Sequence, residues 1–209
     1  LLGLWVVAFA GKQRRAVDEA TNASIGGTLT KESETELVVE VPLDAGEVSV
    51  RQSVRQLRFT ALSMHRDAID ALVGEGRLWV DDRDDEADRL FEMIDRYSGR
   101  GLARLDEADA LGLSRSQLFE LRAVARELER VADRAETIGE VAEGVDTLPD
   151  PISAGQLETI SRNARDIVDQ ATTVVVDDAG AGTAHNALDN REATRSAIES
   201  LDSELSDSP

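Results

Sequence analysis

Glu127-Leu128-Glu129-Arg130-Val131-Ala132-Asp133-Arg134-Ala135-Glu136-Thr137-Ile138 decides the fold. Leu128, Ala132, Ala135 and Ile138 recur three and four residues apart, the period of one helix face. Upstream the stripe continues through Leu118, Leu121 and Ala125. Ser114 with Gln117 has the spacing of a capping box that starts this helix. Glu129 and Asp133 stand four apart, which stacks their carboxylates on one face. An earlier stretch, Asp84-Asp85-Glu86-Ala87-Asp88-Arg89-Leu90, repeats the arrangement with Asp84 and Asp88.

Helical patterns surround this stretch on both sides. The first carries Val50, Val54, Leu57, Ala61, Met64, Ala68 and Leu72, opens on Asp44 with Glu47 as a capping box, and closes at Gly74 and Gly76. The second runs over 78–97 with Val80, Ala87, Leu90, Phe91 and Ile94 inward, and Gly99 and Gly101 are expected to end it. A loop then leads to the third helix. Beyond Gly144, Pro149 and Pro151, Ser153 with Gln156 starts a fourth helix with Leu157, Ile160, Ala164, Ile167, Ala171 and Val174 on its stripe. A fifth, over 184–205, carries Leu188, Ile198, Leu201 and Leu205. Short loops between long amphipathic helices make antiparallel neighbours, so a mainly α, up-and-down bundle is expected. Helices four and five echo helices one and two, with no counterpart of helix three. The second repeat is therefore expected to be incomplete, over 149–209, after a first repeat over 44–148.

Residues 1–43 read differently. An apolar run over 4–10, a weak helical pattern over 12–24 and an alternating run over 36–41 predict a small β-α-β segment with a parallel strand pair. Leu1 to Ala10 is too short to cross a bilayer, which takes roughly 20 residues. The sequence begins with Leu1 rather than Met, and a fragment of a longer chain is expected.

With 42 acids against 23 basic residues the formal net charge is −19, which argues against general binding to the polyanions nucleic acid and membrane surface. Lys12 and Lys31 are the only lysines. Such lysine-poor acidic composition resembles proteins of salt-loving archaea, in which salt screens the repulsion. The 41% hydrophobic content and its strong periodicity argue for a folded chain over a disordered acidic one. No cysteine is present, which removes disulfides, thiolate chemistry and Cys-ligated metal and agrees with an intracellular, cytoplasmic location. No phosphate-binding glycine loop and no nucleophile-base pair is recognisable, so no enzymatic activity is expected.

Asp84, Asp88, Glu129 and Asp133, two on each of two neighbouring helices, offer a hard-oxygen set for Mg²⁺, Mn²⁺ or iron, with water completing the shell. The competing reading is a solvated surface. Acid pairs four apart also occur at Glu32/Glu36, Asp81/Asp85, Asp88/Glu92 and Glu136/Glu140, so spacing alone does not separate the two. Arg83, Arg89, Arg126, Arg130 and Arg134 interleave with these acids, either as surface ion pairs of little energetic worth or as a phosphate-reading cluster. His65 reads as a partly buried structural histidine rather than a phosphoacceptor, His185 as solvated, and Trp5 and Trp79 as packing anchors.

Arg83-Asp84-Asp85-Glu86-Ala87-Asp88-Arg89-Leu90-Phe91 and Leu128-Glu129-Arg130-Val131-Ala132-Asp133-Arg134-Ala135 resemble the two signature segments of the PhoU family of phosphate-uptake regulators. Glu47 to Ser53 and Ala61 to Ala68 resemble the first helix of its haloarchaeal branch. The resemblance implies a bundle of three-helix repeats whose acidic motifs bind multinuclear metal clusters. It carries the metal site over to Asp84, Asp88, Glu129 and Asp133, with Asp85 as a helper, for a divalent or iron-type cluster of Mg, Mn, Fe or Zn. It implies negative regulation of phosphate transport and phosphate homeostasis. The implied partners are components of the phosphate ABC transporter or its sensor kinase, with membrane contact only through them and homodimer formation left open. This chain departs from the family at Arg134, where histidine is common, and at Ala193, four residues after Asp189, where the second acidic motif lacks its partner. Relatives in that branch often carry an AbrB-type DNA-binding domain. No such segment is recognisable in this sequence, so direct nucleic-acid binding by this chain is not expected. A metal-free helical adaptor and a transcription-linked regulator lacking its DNA-binding domain are the alternative readings.

Overall fold

The computed structural model describes residues 3–7, 28–32, 37–41, 49–74, 81–144 and 150–206. Among these, six helices follow a small sheet: α1 (Val50–Leu72), α2 (Asp81–Ala103), α3 (Leu105–Ala110), α4 (Arg115–Gly144), α5 (Pro151–Val176) and α6 (Ala181–Ser206).

Side-chain pairs fix the directions. Arg122 on α4 donates to Asp95 on α2 at 2.7 Å, while Asp88, earlier on α2, meets Glu129 and Asp133, later on α4. As one number falls the other rises, so α2 and α4 are antiparallel. Gln56 donates to Glu86 at 3.0 Å and Arg83 pairs with Asp67, which sets α1 antiparallel to α2. Arg51 reaches the Val176 carbonyl at 2.6 Å and Arg165 reaches His65 at 3.2 Å, which sets α5 antiparallel to α1. Gln156 and Glu204 meet at 3.1 Å across the α5–α6 pair. The expected up-and-down bundle is the observed one.

The core lies where α1, α2 and α4 meet. Val50, Val54, Leu57, Ala61, Met64 and Ala68 are buried on α1, and Leu118, Leu121, Ala125, Leu128, Ala132 and Ala135 on α4, all on the predicted stripes. Ala87, Leu90, Ile94 and Tyr97 complete it from α2. Alanine at about every second buried position of α4 lets the backbones approach closely.

Local signals explain the helix ends. Ser49 caps α1 by accepting from the Gln52 amide at 3.2 Å, and Gly74, at φ +84°, follows its end. The capping box at Ser114 and Gln117 forms as predicted, with reciprocal bonds of 3.2 and 2.9 Å. Asp150, not Ser153, caps α5. Its carboxylate accepts from the amides of Ile152 and Ser153 at 3.0 and 3.2 Å, and Pro151 fills the first helical position.

Several expectations are corrected. Gly99 and Gly101 do not end α2, which continues to Ala103. Gly101 is a close-packing site, where a Cβ would stand 2.6 Å from Leu118 Cδ1. The expected loop before α4 contains the short helix α3. On α5 the buried positions are Ser161, Thr172 and Val176, while Ala171 is exposed, because α5 turns one side to α1 and another to α6. On α6 the supposed core residues Leu188, Ile198 and Leu205 are exposed, and Ala187 and Thr194 are buried instead. Of the helices, α6 packs mainly against α5, so a narrow small-residue seam suffices.

The N-terminal β-α-β expectation is not supported. Strands β1 (Gly3–Val7), β2 (Thr28–Glu32) and β3 (Leu37–Val41) form one antiparallel sheet of order β1-β3-β2. Gly3 stands opposite Val41 and Val7 opposite Leu37, so the pair expected to be parallel is antiparallel. Strand β2 escapes a periodicity test because Thr28-Leu29-Thr30-Lys31-Glu32 holds a single strongly apolar residue. The predicted helix over 12–24, the Asp44/Glu47 box, Leu78, Trp79 and Val80 lie outside the described residues, as does the side chain of Trp5.

Candidate metal centre

The core stripe of α4 fixes what its flank presents. With Leu128, Ala132 and Ala135 facing inward, Glu129, Asp133 and Glu136 fall along the edge beside α2. On α2, Ala87, Leu90 and Ile94 face inward, which leaves Asp84 and Asp88 at the matching edge. The antiparallel pairing then brings the two acidic motifs together.

Asp88, Glu129 and Asp133 each place one carboxylate oxygen so that all three lie within 4.8 Å of one another. Asp88 and Asp133 are exposed and Glu129 is half-buried. Oxygen ligands sit about 2.0–2.6 Å from Mg²⁺ or Ca²⁺, so oxygens on opposite sides of one ion are about 4–5 Å apart. Those three side chains could hold a metal ion. The fourth predicted ligand, Asp84, stands outside the triad but within its field.

The electrostatics show the repulsion. Burial, then the charges of Asp88, Asp133 and Asp85, raise the Asp84 carboxyl above its usual range. Asp88 is raised by burial, then by Asp133, Glu92 and Asp85. Glu129 is raised by burial, then by Asp133 and Asp88, with Arg130 and Arg126 opposing. Asp85 thus acts through its charge rather than as a member of the triad. Glu136 is a neighbour that the motif spacing does not single out. Its carboxyl is raised first by Asp84, then by burial, Glu140, Asp133 and Asp88. The signal for it was its place three residues after Asp133, on the same flank.

The donor set is entirely carboxylate oxygen. It fits hard ions such as Mg²⁺, Mn²⁺ or iron better than Zn²⁺, which favours nitrogen and sulfur. Among the described residues no second group of three such side chains forms, and Asp189 on α6 joins none. Of the arginines interleaved in sequence, Arg130 and Arg126 lie close enough to act on Glu129. Arg83 pairs with Asp67, Arg130 pairs with Glu127 at 3.0 Å, and Arg130 and Arg134 line a cleft with Leu62 and His65. His65 is half-buried and His185 exposed, each in the setting expected of it. Among the described residues, no helix is long and apolar enough to cross a membrane.

The family model for the PhoU domain matches residues 54–142. That span takes in most of α1 and α4 and all of α2, and therefore both acidic motifs. No curated protein and no solved structure matches the chain. Over residues 54–142, a little under half of the chain, the protein is similar to the PhoU domain.

Proposed function

We propose that this protein regulates phosphate uptake and intracellular phosphate homeostasis, restraining transport through a metal-bearing acidic face on α2 and α4. The PhoU domain at residues 54–142 carries the phosphate-regulatory part of this reading. The convergence of Asp88, Glu129 and Asp133 within 4.8 Å supports the metal part. Asp84 and Glu136 extend the acidic edge and would serve a second ion.

A bound cation would reverse the local energetics. Like charges that repel across the α2–α4 edge become shared ligands, which clamps the two helices together and leaves the ion's remaining coordination positions open to the outside. That face then suits a carboxylate-bearing protein partner in a way the metal-free face does not. The partners we expect are components of a phosphate ABC transporter or its sensor kinase, met on the cytoplasmic side. We read the chain as a binding regulator rather than an enzyme, with no direct contact to nucleic acid.

The test is replacement of the gene in its own cell. Loss of the gene should raise phosphate uptake and internal phosphate under phosphate-replete conditions, and the wild-type chain should restore both. A doubly substituted Asp88→Ala/Asp133→Ala chain should fail to restore them while remaining folded. Full restoration by that variant would support a metal-free adaptor, and unchanged uptake in the deletion strain would refute the phosphate reading.

A further inference from the structure

We propose that the cleft between α1 and α5 binds a small phosphate-bearing anion, held by Arg66, Arg162 and Arg165. The proposal stands apart from the acidic edge on α2 and α4 and does not rest on metal binding there.

The first observation is an imbalance of local charge. Acids outnumber basic residues 42 to 23, so a surface arginine has carboxylates in excess to pair with. Several do pair: Arg55 with Asp177 at 2.6 Å, Arg58 with Asp169 at 3.5 Å, and Arg122 with Asp95 at 2.7 Å. Arg66, Arg162 and Arg165 instead converge on one cleft of about 440 Å³, and among the described residues none of them forms an ion pair. Asp166 and Asp169 also line the cleft, and Asp169 is engaged by Arg58. Asp70 lies close enough to act on Arg165. These carboxylates leave the cleft with more guanidinium than carboxylate charge.

The second observation is how Arg165 is held. Its guanidinium donates to His65 Nδ1 at 3.2 Å. Burial, then Arg165 itself, push the His65 imidazole down to about 4, so it is neutral at neutral pH. A neutral acceptor orients a guanidinium without cancelling its charge. Arg165 is in turn pulled below its ordinary value by burial, then by the neighbouring Arg66 charge, with Arg162 adding to it. Cations crowded in this way are relieved by an anion of more than one charge.

Guanidinium groups present planar pairs of donors that match the oxygens of a phosphate. Phe59 stands at the rim, 75% exposed, beside Leu62. Through Leu62 and Arg165 the cleft adjoins a second, mostly apolar one of about 350 Å³. Sites for small molecules run from roughly 300 to 1,000 Å³. The shared chemistry is therefore a phosphate group, free or attached to a planar group such as a nucleoside base.

Titration calorimetry of the full chain with inorganic phosphate and with adenosine monophosphate tests this. Arg66 and Arg162 are exposed, so Arg66→Gln and Arg162→Gln should keep the fold, as a circular dichroism melt would verify. At least one ligand should bind saturably, with a Kd below about 1 mM, and each arginine change should weaken it about tenfold or more. Asp88→Asn should leave this binding intact. Phosphate binding unaffected by Phe59→Ala identifies the free anion. Tighter nucleotide binding that is lost in Phe59→Ala identifies a nucleotide. No saturable binding of either up to about 10 mM, binding unchanged in the arginine variants, or binding lost in Asp88→Asn would each overturn the proposal.

Discussion

Asp88→Asn should make the protein more stable without metal and less stable with it. The Asp88 carboxylate lies within 4.8 Å of those of Glu129 and Asp133. In bulk water two like charges at that separation repel by about 0.9 kcal/mol. Salt at physiological strength, with a screening length of about 8 Å, cuts this roughly in half. Removing the charge of Asp88 therefore relieves about 1 kcal/mol over the two pairs. For a chain of this size that raises Tm by about 2–4 °C in chelator. A metal ion at a hundred times its Kd stabilises the wild type by about 2.7 kcal/mol, or about 5–10 °C. Loss of one of three carboxylate ligands, if it weakens binding a hundredfold, leaves about 0.4 kcal/mol of that, close to 1 °C. The assay is thermal unfolding by circular dichroism at 222 nm, with chelator and then with Mn²⁺ or Mg²⁺ (a helical band, so α2 and α4 report directly). The two melting curves should exchange order between the conditions. An Asp88→Asn chain that melts below the wild type in chelator, or gains as much from metal as the wild type does, refutes the reasoning.

Three further outcomes are expected. The carboxyls of Asp84, Asp88, Glu129 and Glu136 are raised in the folded chain, so this edge favours folding most below the ordinary carboxylate range and loses that contribution as pH rises through the raised values. In chelator, the Tm gap between Asp88→Asn and the wild type should accordingly shrink as pH falls from neutrality towards that range. Leu128→Ala empties a fully buried position on the helix that carries the triad and should cost about 2–5 kcal/mol in urea unfolding, enough to loosen metal binding as well. The Ser98 hydroxyl is fully buried and has no hydrogen-bond partner among the described residues, so Ser98→Ala should stabilise by about 1 kcal/mol, read as a rise of about 2–4 °C in Tm.

The bundle was legible wherever one helix face met one core. The stripes of α1 and α4 are regular because each faces the same interior along its length, and apart from Leu72 and Ile138, which are half-buried, the residues they predict are buried. The pattern misled where a helix has two neighbours or only one. On α5 the contacts divide between α1 and α6, so no single stripe describes it. On α6, leucines at helical spacing are exposed because the contact with α5 is made by smaller side chains. Gly101 shows that glycine in a helical pattern can mean close approach instead of termination.

The site divides in a similar way. Asp88, Glu129 and Asp133 were readable because two local motifs on adjacent helices needed only antiparallel packing to meet. Glu136 was hidden among many acids, and its coupling to Asp84 depends on the angle between α2 and α4. The arginine cleft was not readable, since Arg66 and Arg162 lie in helices nearly a hundred residues apart and neither stands in a motif. Of the arginines that the sequence offered beside the acids, Arg83 and Arg130 pair with Asp67 and Glu127, and Arg130 and Arg134 line the neighbouring cleft.

Equilibrium dialysis followed by elemental analysis bears most directly on the metal face. The wild-type chain, dialysed against micromolar Mn²⁺ or iron and then rinsed, should retain an ion in near-stoichiometric amount, and a folded Asp88→Asn/Asp133→Asn chain should retain only background. Background retention by the wild type, or equal retention by both, would contradict the assignment of Asp88, Glu129 and Asp133 as a metal centre.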